Sequence, residues 1–222
     1  MKFLILGLAM TLCNSSFCSP TEKLQFVDCQ DPILNIRCCS LTEEDIKNPA
    51  MQQLFDGMFA FARGEQSDQQ KHVLVGLAAP QIGKNIRVIL VDTKADGKGG
   101  VSELQLYINP EILEGSQETE EWYEGCFSTG NVKGIVKRSR HVTIRAMNRD
   151  GHEVCETHSG YVARIFLHEV DHLDGIRFPE RVPSEDRLHI VKTNEMYAYR
   201  NQQAWRDWKE TIPQKDWKEY MR

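Results

Sequence analysis

The segment HEVDH at residues 168–172 carries the clearest chemistry in the chain. On an α-helix, residues i and i+4 lie on one face, so His168 and His172 can bind one metal ion together. Glu169 directly follows the first histidine, where it can handle the protons of a water on that ion. Small residues before the segment and Gly175 after it favour a helix. The alternative is a surface helix that holds two histidines without a metal.

The composition is that of one globular domain. The 222 residues are 41% hydrophobic, enough to bury a core without disulfide staples. The net charge of −5 gives no electrostatic footprint for nucleic acid or for an anionic membrane surface. We therefore expect no nucleic-acid partner and no stable membrane span, and the sequence indicates no particular oligomeric state.

The first 19 residues are typical of a secretory signal peptide. Lys2 precedes an apolar run over residues 3–12, and polar and small residues follow up to Pro20. The run is too short to span a bilayer as a mature helix. A retained N-terminal extension is the alternative. The first interpretation predicts an exported, periplasmic protein and the second a cytoplasmic one.

Local patterns predict several further elements. A helix is expected over residues 49–62, with Asn48 as its cap and Pro49 at its first position. Small residues and a proline over residues 74–83 favour a fixed loop with close backbone approach. Strands are predicted over residues 24–27, 86–91, 104–108 and 117–123, and as a hairpin over residues 142–147 and 152–157. A second helix is predicted from about residue 185 to residue 200.

A catalytic zinc-type site needs three protein ligands and an open position for water, so a third ligand is required. One protease pattern places a third histidine six residues after His172, but residue 178 is Phe. Another pattern takes a Glu further downstream, and Glu195 is available. Upstream, Cys126 in the segment EGCFS can approach a metal from a loop as a thiolate. The residues alone leave both candidates open.

Three segments, in order, resemble the peptide deformylases. They are LVGLAAPQIG at residues 74–83, EGCFS at residues 124–128 and HEVDHLDG at residues 168–175. The corresponding family marks are G-x-G-x-A-A-P-Q, E-G-C-L-S and H-E-x-D-H-L-x-G. The resemblance runs from about Lys23 to Arg181. It implies an α+β fold in which antiparallel strands surround a central metal-binding helix, with a further helix at the C-terminus.

By this resemblance, Cys126, His168 and His172 bind one divalent metal ion, in the family usually Fe²⁺, with Zn²⁺ or Ni²⁺ as substitutes. Glu169 takes a proton from water in the fourth position as it attacks the formyl carbon, and returns the proton to the departing amine. The implied reaction removes the formyl group from N-formylmethionyl peptides or nascent proteins and releases formate.

The resemblance also assigns roles around the metal. Gln81, through its side-chain amide, and Phe127, through its backbone N–H, stabilise the oxyanion together with the metal. Asp171, close to the histidines, and Arg138, paired with Glu124, orient the ligands.

Substrate contacts are implied for Gly76, Leu77, Glu124 and Lys133. At Gly76 the substrate backbone is expected to pair with an edge strand. The sequence departs from the family pattern in the same region. Leu74 replaces a glycine and narrows the cleft expected to hold the methionine side chain, while Lys133 replaces a frequent arginine. These changes concern substrate preference, because none of them alters a predicted ligand or proton carrier.

Two other functions fit part of the pattern. A zinc endopeptidase would use His168, His172 and Glu195, and a non-catalytic homologue would bind formyl peptides without turnover. The leading prediction is a deformylase whose partner is a formylated peptide or a nascent chain. The predicted divisions are residues 1–19 as leader or extension, 20–183 as catalytic domain and 184–222 as a C-terminal helical extension.

Overall fold

The computed structural model describes residues 23–65, 73–97, 102–182 and 187–221, so the predicted leader lies outside the described residues. The helices are α1 (Glu43–Lys47), α2 (Pro49–Ala62), α3 (Gly160–Leu173) and α4 (Met196–Asn201). The strands are β1 (Gly76–Ala78), β2 (Val88–Asp92), β3 (Leu104–Gly115), β4 (Thr119–Gly125), β5 (Val132–Ser139), β6 (His141–Met147), β7 (Glu153–Ser159), β8 (Leu188–Ile190) and β9 (Thr211–Ile212). No helix in these ranges is long and apolar enough to cross a membrane.

The strands form two antiparallel sheets. The five-stranded sheet has the order β1-β2-β3-β6-β7, and the four-stranded sheet has the order β4-β5-β8-β9. The predicted hairpin is confirmed as β6 and β7. Its turn is held by Asn148, whose side-chain oxygen accepts bonds from the backbone N–H groups of Asp150 and His152. The predicted mixture of helices and antiparallel strands is therefore present.

Helices cover both faces of the five-stranded sheet around β2. Alternate residues of a strand point to opposite faces, so Val88 and Leu90 join one core cluster while Ile89 and Val91 join another. The first cluster contains the apolar face of α2, and the second contains the apolar face of α3. Every residue of β2 is buried, as this two-sided cover requires. Helix α3 is consequently fixed against the sheet along its length.

The two longer helices begin and end near the predicted residues. Asn48 caps α2 by accepting a hydrogen bond from the backbone N–H of Ala50, and Pro49 is the first helical residue. Ser159 precedes α3, and Gly175 follows it with a φ of 73°.

The prediction of one helix from about residue 185 to residue 200 is wrong over the described residues. Residues 188–190 form β8, which pairs with β5 and carries β9 on its other side, while α4 is only six residues long. The reason is tertiary packing: Leu188 is fully buried in a cluster with Val136 and Phe178, and β5 offers a free edge for pairing. The C-terminal helix expected of the fold is therefore α4 alone, and the limits at residues 19 and 183 stay predictions.

Two other differences concern strands. Residues 24–27 form no strand, although the Val27 N–H donates to the Gln81 carbonyl at 2.9 Å. The segment predicted as a fixed loop begins with β1, and β5 was not predicted at all. β1 pairs with β2 and β5 pairs with β4, and each of these partners is the neighbouring strand along the chain.

Candidate metal centre

Three side chains with metal-binding atoms meet between β4 and α3. Cys126 follows the last residue of β4, while His168 and His172 lie in the C-terminal half of α3. One ligand atom from each lies within 4.8 Å of the others, and Cys126 Sγ is 3.3 Å from His172 Nε2. The two imidazole centroids are 5.0 Å apart, as the i, i+4 spacing predicts. Cys126, upstream in the sequence, is thus the residue that joins the two histidines.

This donor set fits one divalent transition-metal ion. A thiolate and two imidazoles are ligands that Zn²⁺ and Fe²⁺ accept, and three protein ligands leave a position open. His168 uses Nδ1 to bond the Glu124 carboxylate at 2.9 Å, which leaves its Nε2 for the metal side. Carboxylate support of this kind fixes the tautomer and the orientation of a ligand histidine.

The electrostatics of the cluster favour its charged forms. Burial opposes ionisation of the Cys126 thiol, but the imidazoles of His172 and His168 hold its pKa well below the ordinary value. Burial also opposes protonation of His168, yet the Cys126 sulfur and the Glu124 carboxylate raise its pKa well above the ordinary value. A thiolate ready to bind a cation is the result.

Glu124 is the centre of a buried charge network. Its carboxylate accepts two hydrogen bonds from Arg138, at 2.9 and 3.0 Å, and one from Arg164 at 2.8 Å, in addition to the bond with His168. Burial alone would raise the pKa of Glu124, but Arg138 and His168 hold it far below the ordinary value. Both oxygens are therefore engaged within the protein, where they position His168, and the substrate contact implied for Glu124 stays a prediction.

Asp171 does not support the histidines directly. Its carboxylate accepts hydrogen bonds from Arg138 at 2.6 Å and from Arg181 at 2.7 Å. Asp171 therefore bonds Arg138, which in turn bonds Glu124, the residue that contacts His168. Its effect on His168 is thus less direct than expected. Arg138 pairs with Glu124 as the resemblance implies. The role of Arg164 was not predicted, and its one signal in the sequence is a cation four residues before His168 on the same helix face.

Glu169 is buried beside the cluster. Its exposed fraction is 5%, and its Oε2 atom has no hydrogen-bond partner within the described part of the protein. Burial raises the pKa of Glu169 to about 7, an effect that His168 and His172 only partly offset. A methyl group on Gly76 would overlap Glu169 Oε1 and lie 2.8 Å from Ile165 Cγ2. The close backbone approach predicted for this segment is thus a contact between β1 and Glu169.

Gln81 is fixed at the other side of the cluster. Its Oε1 accepts a hydrogen bond from the Ala78 N–H at 2.7 Å, and its Nε2 donates to Cys126 Sγ at 3.2 Å. This arrangement identifies Oε1 as the anchor and Nε2 as the group aimed at the cluster. Phe127, directly after Cys126, is 44% exposed, and its ring stacks on Phe26 at 4.4 Å between centroids.

The cluster opens into a cleft of about 700 Å³. Gly76 lines this cleft on β1, at the edge of the five-stranded sheet, whereas the Leu77 side chain is fully buried in the core on the α2 side. Only the backbone of Leu77 can therefore contact a substrate. Lys133 also lines the cleft, and Leu74 lies at its wall as expected.

Glu195 does not belong to the cluster. Its carboxylate accepts a hydrogen bond from the Lys192 backbone N–H at 2.8 Å and closes a short helical turn of residues 193–195. Among the described residues, the ligand group that contains His168 and His172 is completed by Cys126. The endopeptidase alternative is therefore not supported.

These features together define a class of protein. An antiparallel α+β fold holds a Cys-His-His cluster next to a buried glutamate in an open cleft, as a metal-dependent hydrolase requires. Comparison with known proteins then identifies the family, since residues 23–188 match the model of the polypeptide deformylases. This chain belongs to the polypeptide deformylase family, and the resemblance carried by the three motifs is confirmed.

Individual relatives agree. The chain is 46% identical over 118 residues to a peptide deformylase of Pseudothermotoga lettingae, covering 53% of this chain but less than two thirds (64%) of that protein. It is 38% identical over 152 residues to one of Natranaerobius thermophilus, covering 68% of this chain and 86% of that protein. A solved class I type b peptide deformylase from Acinetobacter baumannii, with Met-Ala-Ser bound, is 31% identical with a TM-score of 0.64. That comparison covers 72% of this chain and 98% of the solved chain.

Proposed function

We propose that this protein hydrolyses the N-formyl group of N-formylmethionyl peptides or nascent proteins and releases formate. The observation that carries the proposal is the cluster of Cys126, His168 and His172 beside Glu169, inside the region that matches the family. The three ligands would hold one divalent ion, which we propose to be Fe²⁺, with Zn²⁺ or Ni²⁺ able to substitute. When bound, the ion supplies polarisation of the formyl carbonyl and acidification of water.

Glu169 is the proposed proton carrier. A carboxylate with a pKa of about 7 can accept a proton from the attacking water and release it again at neutral pH. Its buried Oε2 has no partner within the described residues and so has a free lone pair for this purpose. The proton then passes to the departing amine, which leaves as the C–N bond breaks and formate forms.

Gln81 and the backbone of Phe127 are the proposed oxyanion donors. The bond from the Ala78 N–H orients the Gln81 amide before substrate arrives, so its Nε2 needs little reorganisation to donate to the developing negative charge. The Phe127 contribution is a main-chain N–H and does not depend on its side chain. Gly76 and Leu77 offer backbone groups of β1 for pairing with an extended peptide.

The Met-Ala-Ser bound to the Acinetobacter baumannii structure is a methionyl peptide of the kind expected as product. The open β1 edge and the cleft beside Cys126 would take a chain of the same type here. The bound peptide of that relative thus supports a formyl-Met peptide as the first substrate to test.

The test is formate release from a short formyl-Met peptide by anaerobically prepared wild type and two variants. Glu169→Ala should lose at least about 100-fold in kcat while keeping its metal, because proton transfer and not binding is removed. Glu195→Ala should turn over like wild type, since Glu195 only closes a turn. No formate release from folded, metal-loaded wild type would instead favour the non-catalytic homologue.

Metal counting separates the ligand sets. Cys126→Ser should lose the bound ion, whereas an endopeptidase that used Glu195 would keep it after this change.

Export remains a prediction, because residues 1–19 lie outside the described residues. N-terminal sequencing of the mature protein from the producing cell tests it: cleavage before residue 19 or 20 would confirm export, and an intact Met1 or Lys2 would contradict it.

A further inference from the structure

One wall of the cleft is built by residues that follow the family match. The match ends at residue 188, but the cleft is also lined by Val191, Thr193, Met196 and Arg200. These residues belong to the segment between β8 and the end of α4. The family match therefore does not extend to this wall of the cleft.

The segment is fixed in place by β8. Lys133 on β5 pairs with His189 on β8, and the Val191 N–H donates to the Asn131 carbonyl at 3.0 Å. His189 Nδ1 lies 2.8 Å from the hydroxyl of Tyr199, which is fully buried in α4. Helix α4 is thus held beside β5 by a buried hydrogen bond and by strand pairing.

This anchoring brings Arg200 to the cleft. The Tyr199 ring packs edge-on against Tyr123 at 5.6 Å, and the next residue, Arg200, donates through Nε to the Tyr123 hydroxyl at 3.0 Å. Tyr123 directly precedes Glu124 on β4, and both line the cleft. The bond uses one N–H group of Arg200, and the exposed side chain retains its terminal guanidinium nitrogens for a ligand.

Lys133 supplies a second cation on the same side. A methyl group on Gly125 would overlap Lys133 Cδ, so the lysine stem crosses β4 just before Cys126. Its Nζ donates to the carbonyls of Gly130 and Val132 at 2.5 and 3.3 Å. Burial lowers the pKa of Lys133 to about 8, and the positive charge of Arg200 acts in the same direction.

No carboxylate of the described residues pairs with Lys133 or Arg200, although the Cys126 sulfur favours the charged form of Lys133. Lys133 contacts carbonyls and Arg200 contacts a phenol, whereas the buried Arg138 and Arg164 are paired with Glu124. A partly buried cation such as Lys133 is stabilised by a ligand of opposite charge, and the exposed Arg200 guanidinium beside it can bind the same ligand. A carboxylate is the peptide group that matches both an ammonium and a guanidinium.

We propose that Arg200, together with Lys133, binds a carboxylate of the substrate, so that the cleft selects short formyl peptides carrying a free C-terminal carboxylate or an acidic side chain. This inference rests on the proposed deformylase function. It predicts a preference for released formyl peptides over the neutral backbone of a nascent chain.

The experiment uses the metal-loaded full chain with formyl-Met-Ala-Ser as free acid and as C-terminal amide, and with the amide of formyl-Met-Ala-Asp. Wild type should show a KM for the acid roughly ten-fold below that for the amide, because a charge-assisted hydrogen bond is gained. Arg200→Gln should bring the two KM values together, and Arg200→Lys should restore part of the difference. The aspartyl amide shows whether a side-chain carboxylate is accepted as well as a terminal one.

Arg206→Gln is the matched control. Arg206 is an exposed arginine of the same C-terminal segment whose guanidinium lies over the Trp205 ring at 4.2 Å, and it is not among the residues that line the cleft. It should keep the wild-type ratio of KM values. Equal KM values in wild type, or an acid preference that survives in Arg200→Gln, would overturn the inference.

Failure of the proposed function gives a different result. In that case no peptide releases formate, and the inference is decided by calorimetric titration with Met-Ala-Ser as acid and as amide. Tighter binding of the acid that is lost in Arg200→Gln supports the carboxylate site, and equal binding of both forms overturns it.

Discussion

Glu124 is surrounded by Arg138, Arg164 and His168, and we expect its replacement to be costly. Glu124→Gln removes the negative charge but keeps the shape, so the buried Arg164 loses its carboxylate partner and the buried Arg138 keeps only Asp171. Breaking a buried ion pair in this way costs about 3–5 kcal/mol of the free energy of unfolding. Urea unfolding in the presence of a chelator measures this loss without a contribution from metal binding.

An exposed pair of the same chemistry is the control for Glu124. Glu118 bonds Arg140 at 2.6 Å, but both side chains are more than half exposed. Glu118→Gln should therefore change the free energy of unfolding by less than about 1 kcal/mol. Similar losses in the two variants would contradict the view that Glu124 anchors a buried network.

Gly76 is required by the space that Glu169 occupies. Gly76→Ala places a methyl group onto Glu169 Oε1 and 2.8 Å from Ile165 Cγ2, so the carboxylate has to move. A displacement of about 1 Å in a catalytic group costs roughly 100-fold in kcat/KM. Gly57→Ala on α2 is the control, because its methyl group would be 3.4 Å from the nearest side-chain atom of Leu24. We expect kcat/KM for formate release to fall in Gly76→Ala and to stay near wild type in Gly57→Ala. A wild-type value in Gly76→Ala would show that the position of Glu169 does not depend on the glycine.

At the scale of elements, Asp92 closes the connection between β2 and β3. Its buried carboxylate accepts hydrogen bonds from the backbone N–H groups of Lys94, Ser102 and Glu103, at 2.8 to 3.1 Å. Asp92→Ala leaves these donors unpaired and should cost about 2 kcal/mol or more of the free energy of unfolding. Asp56→Ala, which removes one exposed bond to Arg149, should cost less than about 1 kcal/mol.

The Asp92 contribution also depends on pH in a defined direction. Burial alone would raise its pKa, but the hydrogen bonds from Ser102, Lys94 and Glu103 lower it below the ordinary value. A group whose pKa is lower in the folded state stabilises that state above its unfolded pKa and loses this effect as pH falls through the folded value. The difference between wild type and Asp92→Ala should therefore be full at pH 6 and shrink in acid. If the difference in free energy of unfolding between wild type and Asp92→Ala stayed constant down to the pH of acid unfolding, the predicted effect of the Asp92 carboxylate would be refuted.

The elements that sequence predicts well are those with local signals. Helix α2 has its cap and proline at Asn48 and Pro49, and the β6–β7 hairpin has its turn residues at Asn148 and beyond. The strand β8 has no comparable signal, since its three residues are extended only because β5 lies beside them. Long-range pairing decides such segments, and one sequence does not display it.

Contacts between residues far apart in sequence were also difficult to predict at the metal centre. The i, i+4 spacing places the two histidines on one helix face, and the resemblance of EGCFS to the family motif indicates Cys126 as the third ligand. The sequence did not indicate the hydrogen-bond partner of His168 correctly. Glu124 bonds His168 from strand β4, whereas Asp171, which is nearer in sequence, bonds Arg138. Hydrogen-bond partners across a core follow from packing and not from spacing.

At the scale of the whole molecule, Arg177 joins three distant parts of the chain. It donates to the carbonyl of Cys29 at 2.7 Å and to that of Ser128 at 3.0 Å, two residues after Cys126. Its guanidinium also lies 4.5 Å from the centroid of the Trp217 ring. The C-terminal residues therefore support the loop that carries a predicted metal ligand, although they follow the family match.

Removal of Trp217 tests whether this C-terminal cover belongs to the folding unit. Trp217 is 4% exposed, so Trp217→Ala should lower the free energy of unfolding by about 3–5 kcal/mol. Since Arg177 then loses its ring contact, the Ser128 loop should loosen and metal should be lost at lower chelator concentration. Tyr220→Ala, at a 41% exposed residue of the same turn, should leave both properties near wild type. If Trp217→Ala is as stable as wild type, the domain does not need residues 213–221 for its stability. If stability and metal binding are lost as expected, the folded domain includes residues that follow the family match.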